Sequence, residues 1–369
     1  MNKLKIKSAK KFIFFAISRA SLLTFLIGIM IVTPTLTIFY KNKKDAIDEK
    51  FIGKKASYQG VITLWNVDTF EGGSSSKVSF LELVAASFEK KYKGALIKVE
   101  NLTIDEMIAN LKMGNVPNLF SFGTGVAGYL EDKMIKLPES IVKGVFSNFY
   151  SAGLKSGVLK AIAYSFGGYV LISSKDRIDK ANKEYEGSLK NLIKELSYDL
   201  KLKKKTKHVY SITFGGNDLT HANNLFSRAF NENISTLLSN GILDESYNKQ
   251  TTYGAYNNFT SRKASILLGT QRDIARMENR IKAGVESDVY FEAFSEYTDL
   301  VNYISIIEGD SKVLNVCKDF ISFLMSDEVQ LLLSKIGLLS VKGLDLYDDG
   351  AMNLLEEAIN EQTIVPNVF

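Results

Sequence analysis

The 369-residue sequence is poor in the residues that build disulfides and metal centres, with one cysteine, two histidines and one tryptophan. A single cysteine excludes an intrachain disulfide and a thiolate metal cluster. His208 and His221 stand at no metal-ligand spacing from each other or from the cysteine, so we expect no metal, no cofactor and no histidine-based catalysis. Cys317 falls on the apolar stripe of a predicted helix and is expected to be a buried, inert thiol.

Most of the chain also lacks an excess of basic over acidic residues. The formal net charge is +5, but residues 1–55 hold 12 Lys or Arg against 3 Asp or Glu, and the remainder holds 34 basic against 38 acidic residues. Binding to a phosphate backbone needs a basic patch on the folded part, so we expect no nucleic-acid partner. Hydrophobic residues make up 46% and charged residues 24%, which is typical of a folded protein, and the length favours two lobes.

A long uncharged run, residues 20–40, follows Arg19 and a cluster of five lysines. As a helix, its 21 residues would cover about 30 Å, the thickness of the hydrocarbon core of a bilayer. The run ends without the A-x-A pattern of small residues that marks signal-peptide cleavage. We therefore expect residues 1–56 to form a cytoplasmic tip, a single-pass anchor in the cell membrane and a spacer, with the folded part outside the cytoplasm.

Beyond the spacer, β-rich and helical patterns alternate along the chain. Strand, helix, strand, helix and strand are predicted at 61–65, 78–92, 95–99, 104–112 and 116–122. This alternation predicts an α/β fold with a mostly parallel sheet, whose ligands bind beyond the carboxyl ends of the strands, here residues 66–71 and 121–125. A later run, 158–172, contains Gly167-Gly168 and is expected to pass between two lobes and bend there.

Five segments carry recognisable motifs in a fixed order. They are the first strand ending in Trp65, Val-Pro-Asn-Leu-Phe-Ser at 116–121, Gly-Val-Leu-Lys-Ala-Ile-Ala-Tyr with Phe-Gly-Gly at 157–168, Phe-Thr-Ser-Arg-Lys-Ala-Ser-Ile-Leu-Leu-Gly at 259–269, and the helix pair between Cys317 and Gly337. Together they resemble the extracellular solute-binding proteins of ABC importers, in the sugar-binding, maltose-binding-protein-like family 1. Asn118 replaces the acid that is usual in the second motif.

The resemblance implies a two-lobed α/β fold of the periplasmic-binding-protein type II, with lobe 1 at 57–162 and 300–338 and lobe 2 at 163–299 and 339–369. It implies a protein that is not an enzyme, that closes its lobes on a sugar or oligosaccharide and that delivers it to ABC permease subunits. A membrane-anchored sensor or scaffold for a partner protein is the alternative. The family's processed lipoprotein N-terminus is missing, so the expected anchor departs from its pattern.

Sugar sites combine carboxylates, amides or Arg with flat aromatic rings, because hydroxyls take paired hydrogen bonds and C–H faces stack on rings. The candidate ligand-binding residues are the polar and aromatic side chains near the strand ends, at the crossing and in the second lobe: Trp65, Asn66, Asp68, Glu71, Ser121, Phe122, Thr124, Tyr164, Phe166, Asn217, Asp218, Arg272 and Asp273. We expect the loops at 65–71 and 121–125 to face one interlobe gap.

Two enzymatic or cofactor interpretations are less favoured. Residues 123–128 match G-x-G-x-x-G, but a dinucleotide site also needs an acid about 20 residues further on, and position 148 is Asn. These glycines instead indicate a close backbone approach to a ligand or the start of a short helix. Asp68 and Glu71 could be a glycosidase pair, yet one loop is poorly suited to hold two carboxyl groups on opposite sides of a glycosidic bond.

Overall fold

The computed structural model describes residues 54–174, 177, 188–198, 212–216, 222–230, 232–243 and 245–369. Lys55–Phe369 form one compact unit. None of the helices among the described residues is long and apolar enough to cross a bilayer. The predicted anchor at 20–40 and the candidates Asn217 and Asp218 lie outside the described residues.

The described strands form two main sheets and a small hairpin. They are β1 (Lys54–Val67), β2 (Tyr92–Asn101), β3 (Leu119–Gly123), β4 (Leu154–Lys155), β5 (Val158–Leu159), β6 (Ile162–Phe166), β7 (Tyr169–Ser174), β8 (Ile212–Phe214), β9 (Ile266–Thr270), β10 (Val289–Ala293) and β11 (Val301–Ile306). The first sheet has the order β2-β1-β3-β11-β6, and the second has the order β10-β7-β9-β8. We call each sheet with its helices a lobe.

Both sheets are mixed, which corrects the expectation of a mostly parallel sheet. β1 pairs with β3 in parallel, but β11 runs antiparallel to both β3 and β6. In the second sheet, β8 and β9 are parallel, while β7 is antiparallel to β9 and β10. The alternation of strand and helix from β1 to β3 predicts parallel pairing, but β11 follows the strands of the second sheet in the chain and is not part of that alternation.

Some of the helices in the described part of the chain begin at a capping side chain, and others do not. The described helices follow here in chain order. They are α1 (Lys77–Lys91), α2 (Ile104–Lys112), α3 (Ser147–Ala152), α4 (Leu189–Tyr198), α5 (Ala222–Phe230), α6 (Ile234–Ser239), α7 (Thr252–Thr260), α8 (Gln271–Lys282), α9 (Ser311–Leu324), α10 (Asp327–Gln330) and α11 (Gly350–Ala358). The Ser76 side chain accepts a hydrogen bond from Ser79 N and starts α1, and Thr103 and Glu106 form a capping box at α2. The predicted pair at 312–335 is confirmed as α9, α10 and a 3₁₀ turn that ends at left-handed Gly337.

The chain crosses from the first sheet to the second at Gly167-Gly168, where the sequence predicts the bend. β6 ends at Phe166 and β7 begins at Tyr169 in the other sheet. A Cβ at the first glycine would lie 2.3 Å from Gln271 Oε1, so a larger residue there would displace the Gln271 side chain. The chain returns between β10 and β11, and Leu339 pairs with Phe166 beside the crossing.

The side chains of β7 alternate between two apolar cores. Val170 and Ile172 belong to the larger core, which also fills the first lobe. Tyr169 and Leu171 point to the opposite face and join a smaller core of the second lobe. This two-residue period is that of a strand covered on both faces, so the second sheet is a buried layer with helices on each side.

Candidate functional site

A cavity of about 750 Å³ lies between the lobes, at the carboxyl ends of strands from both sheets. The first lobe contributes the loop between β1 and α1, which includes Asp68 and Glu71. The second lobe contributes the residues after β8, those before α7 and the turn between β9 and α8. Because β8 and β9 are parallel, their carboxyl ends meet at the edge that faces the first lobe.

Three helices begin at the wall of this cavity, and each start is already capped. Ser76, Thr251 and Thr270 are the N-cap residues of α1, α7 and α8, and all three line the cavity. The side chain of each accepts a hydrogen bond from a backbone N–H of its own helix. A free helix start attracts anions, so this capping reduces the preference of the cavity for a negatively charged ligand.

Lys77 is a buried cation at the base of the cavity. Its Nζ lies 3.1 Å from Asp68 Oδ1, donates to Asn302 Oδ1 at 3.3 Å and stands 3.7 Å from the centroid of the Phe70 ring. Burial lowers the pKa of Lys77, and the Asp68 carboxylate opposes this by favouring the charged form. The ion pair therefore holds Asp68 in place at the cavity surface, where its side chain is 31% exposed.

A second group of charges joins the lobes at the cavity rim. Arg276 Nη2 lies 2.8 Å from Glu71 Oε2, and Arg272 Nε lies 3.4 Å from the same oxygen. Arg276 Nη1 also lies 3.0 Å from Asp273 Oδ1. Burial raises the pKa of the Asp273 carboxyl to about 6, against the opposing effect of Arg276. The acidic and basic side chains of the cavity are thus paired with one another, which leaves no strong net charge.

Aromatic rings line the cavity on both lobes. Phe70 belongs to the first lobe, and Tyr169, Phe214 and Tyr253 belong to the second. Tyr253 is 56% exposed, and its ring stacks with that of Tyr256 at a centroid distance of 6.4 Å. An exposed ring fixed by a neighbouring ring is suited to stack on the apolar face of a ligand.

A buried hydrogen-bond network lies under the first-lobe loop rather than on the cavity surface. Ser121 Oγ donates to Asn66 Oδ1 at 2.9 Å and lies 2.9 Å from the hydroxyl oxygen of Tyr164. Asn66 Nδ2 in turn donates to Asn101 Oδ1. Burial raises the pKa of Tyr164, so the phenol stays protonated. The candidates Asn66, Ser121 and Tyr164 therefore lie together in a polar network inside the first lobe.

The remaining first-lobe candidates are placed in the protein interior, which corrects their interpretation as cavity residues. Trp65 is 3% exposed and donates from Nε1 to Glu100 Oε2 at 2.9 Å, so its ring is no platform for a ligand. Phe122 stacks between Phe120 and Tyr303. Phe166 contacts Phe149, and Thr124 Oγ1 donates to Asp299 O.

The loops at 65–71 and 121–125 touch each other, but only the first lines the cavity. A Cβ on Gly123 would lie 1.8 Å from Thr69 Oγ1, so the second loop supports the first from behind. Of the candidates in the described residues, Asp68, Glu71, Arg272 and Asp273 line the cavity. Both loops were expected to face the gap, but only the loop at 65–71 does so.

Sequence reasoning missed most of the second-lobe surface. Phe214 is the last residue of β8, which is parallel to its neighbour, and Gly215 follows it. The Gly-Gly pair at 215–216 was an available signal for this strand end. Tyr253 lies at the start of a helix whose hydrophobic pattern is weak, so only the tertiary arrangement identifies it. In the part of the chain that the structure describes, no group of three or more His, Cys, Asp or Glu is arranged to hold a metal ion.

Comparisons with known proteins identify the fold. No protein-family model and no curated protein matches the chain. Solved structures do match, including the GacH receptor of Streptomyces glaucescens, determined unliganded and with acarbose, at 15% identity and a TM-score of 0.57, covering 83% of this chain and 89% of that one. The sugar-binding protein MalE of Xanthomonas citri matches at 13% identity and a TM-score of 0.57, covering 82% and 87%.

A third match is an ABC substrate-binding protein from Listeria monocytogenes in complex with cycloalternan, at 15% identity and a TM-score of 0.53, covering 85% of this chain and 89% of that one. By their names, the three are a receptor, a sugar-binding protein and an ABC substrate-binding protein. The structural similarity shows the fold, and at these low identities it does not assign a ligand to this chain. The two-lobed α/β fold of periplasmic binding proteins, which the sequence resemblance implied, is confirmed.

Proposed function

We propose that this chain is an extracytoplasmic solute-binding protein that captures a sugar or oligosaccharide between its lobes for an ABC importer. The observation that carries the proposal is the composition of the interlobe cavity. Its charged side chains are paired with one another, as Lys77 is with Asp68 and Arg276 with Glu71. A lining without strong net charge favours a neutral ligand, because a charged solute would lack a compensating partner.

Aromatic rings from both lobes narrow the ligand class further. Phe70 and Tyr253 lie on opposite lobes of the cavity, where they can contact the C–H faces of a pyranose ring. Asp68, Thr69 and Ser74 supply acceptors and hydroxyl groups for the ligand's own hydroxyls. The cavity is within the size range of small-molecule sites. The acarbose and cycloalternan complexes of the fold neighbours agree with this ligand class.

The same proposal includes binding without catalysis. Asp68 is paired with Lys77, and Glu71 is paired with two arginines. A glycosidase needs one carboxyl group that is protonated and poised to donate to the glycosidic oxygen. Both carboxylates are engaged by cations of the protein itself, so neither is positioned as the free acid beside a glycosidic oxygen that this mechanism requires.

The proposal also includes the membrane attachment and the division into lobes. Residues 20–40 would anchor the chain in the cell membrane, with the folded part outside and ABC permease subunits as partners. The sequence-based division, with lobe 1 at 57–162 and 300–338 and lobe 2 at 163–299 and 339–369, is kept in this proposal except at its first boundary. Because β6 (Ile162–Phe166) belongs to the first sheet, that boundary is moved to Gly167-Gly168. The uncharged run and its lysine-rich flank support the anchor.

A glycan panel tests the ligand class. The full chain is mixed with malto-, xylo- and chito-oligosaccharides, and binding is measured by thermal shift and calorimetry. We expect saturable binding of at least one glycan, weakened about tenfold in Tyr253→Ala and little changed in Tyr253→Phe, because the phenylalanine ring retains the stacking surface. Equal affinities of the alanine and phenylalanine variants would exclude Tyr253 as a contact, and a panel without any saturable binding would overturn the carbohydrate assignment.

A further inference from the structure

An exposed apolar patch lies on one face of the first sheet, near the amino ends of its strands. Its four members are apolar side chains with high exposure, Val61, Leu96, Met113 and Val116, at 53%, 53%, 68% and 41%. Exposed apolar side chains that occur singly are ordinary, but a contiguous group marks a surface that binds another body. We call these four residues the apolar patch.

Strand pairing brings the members on β1 and β2 together. A Cβ on Gly94 would lie 2.8 Å from Gln59 Cγ at one end of the strand pair, and Asn66 Nδ2 donates to Asn101 Oδ1 at the other. The two contacts join residues that are the same 35 positions apart in the sequence, so the strands are parallel and in constant register. At this register, the patch residues of β1 and β2 are direct neighbours on one face.

The other two members come from the segment between α2 and β3. Asn118 N donates to Thr63 O at 2.9 Å, and Thr63 N donates to Asn118 Oδ1 at 2.9 Å. Val116 therefore lies beside Val61, two residues earlier on each side of this contact. Met113 is the C-cap residue of α2, which returns from the carboxyl end of β2 to this point.

The apolar patch lies away from the interlobe cavity. Asp68 lines the cavity, and the seven residues of chain from Val61 to Asp68 cover about 23 Å when extended. A flat body that covers the patch would therefore leave the cavity uncovered.

Lysines surround the apolar patch. Lys93 and Lys98 belong to β2, Lys112 ends α2, and all three are exposed. Lys98 lies 2.6 Å from Glu100, whereas Lys93 and Lys112 have no ion-pair partner among the residues that the structure describes. Apolar side chains inside a rim of lysines suit an anionic bilayer surface, because the apolar groups enter the headgroup region while the lysines face the lipid phosphates.

The chain ahead of β1 keeps this surface close to the bilayer. Residues 41–53 separate the proposed anchor at 20–40 from Lys54, where β1 begins. A segment of 13 residues spans at most about 45 Å. A weak contact is then sufficient for docking, because the short tether gives the membrane surface a high effective concentration.

We propose that the apolar patch docks the first lobe on the anionic outer surface of the membrane, with the interlobe cavity directed away from the bilayer. The docking rests on the membrane anchor of the proposed function and is independent of which ligand the cavity binds. Its consequence is orientation, because the docked protein presents the cavity to solutes in the external medium.

A fluorophore at the apolar patch tests the docking in the full chain, reconstituted in vesicles. Leu96→Cys places a label in the patch, and Leu354→Cys, at 49% exposure on α11, is the matched control. The native Cys317 is buried and stays unlabelled. In vesicles that contain phosphatidylglycerol, we expect lipid-linked nitroxides to quench the label at 96 and to spare the label at 354. In vesicles of phosphatidylcholine alone, quenching at 96 should be much weaker, because the lysines lack anionic partners.

Paired variants separate the charge from the apolar contact. With the label at 96, Lys112→Gln should lower the ratio of docked to undocked protein about fivefold, whereas Lys282→Gln, at an exposed position of α8, should not change it. Val61→Ser should also weaken the docking, whereas Val285→Ser, at 58% exposure in the second lobe, should not. All four positions are exposed, so the variants should fold as wild type does.

Equal quenching at 96 and 354 would overturn the docking, as would quenching at 96 that does not respond to Lys112→Gln. Self-quenching at 96 that rises with protein density and not with phosphatidylglycerol would overturn it in favour of a second copy of this chain on the patch. Release of the chain from the vesicles at alkaline pH would refute the anchor and the docking together. A chain that stays in the membrane with its label at 96 in water would refute the docking alone. The glycan panel reports on the ligand in every case, so the failures are distinguishable.

Discussion

Replacing Gly123 by alanine is expected to destabilise the protein through a single contact behind the cavity loop. The new Cβ would lie 1.8 Å from Thr69 Oγ1 and 2.8 Å from Thr69 Cβ, distances that no rotation of the threonine relieves completely. Overpacking of a filled interior costs about 1–3 kcal/mol. For a chain of this size, we expect a thermal midpoint lower by roughly 2–10 °C.

The neighbouring glycines of the G-x-G-x-x-G run provide matched comparisons. A Cβ on Gly128 would meet nothing within 4 Å, so Gly128→Ala should change the unfolding free energy by less than about 0.5 kcal/mol. Gly125 has φ +90°, so alanine there should cost about 1–2 kcal/mol through backbone strain instead of a clash. All three substitutions exchange glycine for alanine, so they separate a side-chain clash at 123 and backbone strain at 125 from the absence of both at 128.

Urea denaturation followed by tryptophan fluorescence measures these differences. Trp65 is the only tryptophan in the chain and is buried on the strand that leads into the cavity loop. In a Thr69→Gly background, Gly123→Ala should lose most of its cost, because the clashing atoms are gone. The reasoning is refuted if Gly123→Ala is no more harmful than Gly128→Ala, or if Thr69→Gly fails to relieve it.

Three further changes have expected outcomes. Tyr164→Phe removes the contact with Ser121 and should lower the unfolding free energy by about 1 kcal/mol; an unchanged urea midpoint would contradict this. Burial raises the pKa of the Asp273 carboxyl from 3.8 to about 6, so the folded protein binds a proton at this carboxyl more tightly than the unfolded chain does. Wild type should therefore gain stability relative to Asp273→Asn as the pH falls from about 7 to about 4. Parallel pH profiles of unfolding free energy for the two proteins would refute this. Burial also raises the pKa of the Cys317 thiol to about 12, so a thiol reagent at neutral pH should react with Cys317 only after the protein unfolds. Rapid labelling of the native protein would contradict this prediction, because it would show that the thiol is accessible.

The sequence was informative where local chemistry determines the structure. The alternation from β1 to β3 and the crossing at Gly167-Gly168 both leave a local pattern. The general position of a site at strand ends follows from the same alternation, and the structure places Asp68 and Glu71 on the cavity at such an end.

The face of each buried strand could not be predicted in the same way. All five residues of β3 are buried, so no alternation of polar and apolar residues indicates which side chains point toward the gap. Trp65 is similarly covered. Tyr253 and Phe214 come from segments far apart in the chain, and they meet the first-lobe loop only through the packing of two lobes.

The position of β11 has a consequence for how the chain is made. β11 lies between β3 and β6, although it is synthesised after every strand of the second sheet. Until residue 306 has left the ribosome, β3 and β6 each present an unpaired edge, and the first sheet cannot close. The lobes therefore cannot mature one after the other in chain order, and nascent protein that stops before Val301 is expected to aggregate instead of leaving a folded first lobe.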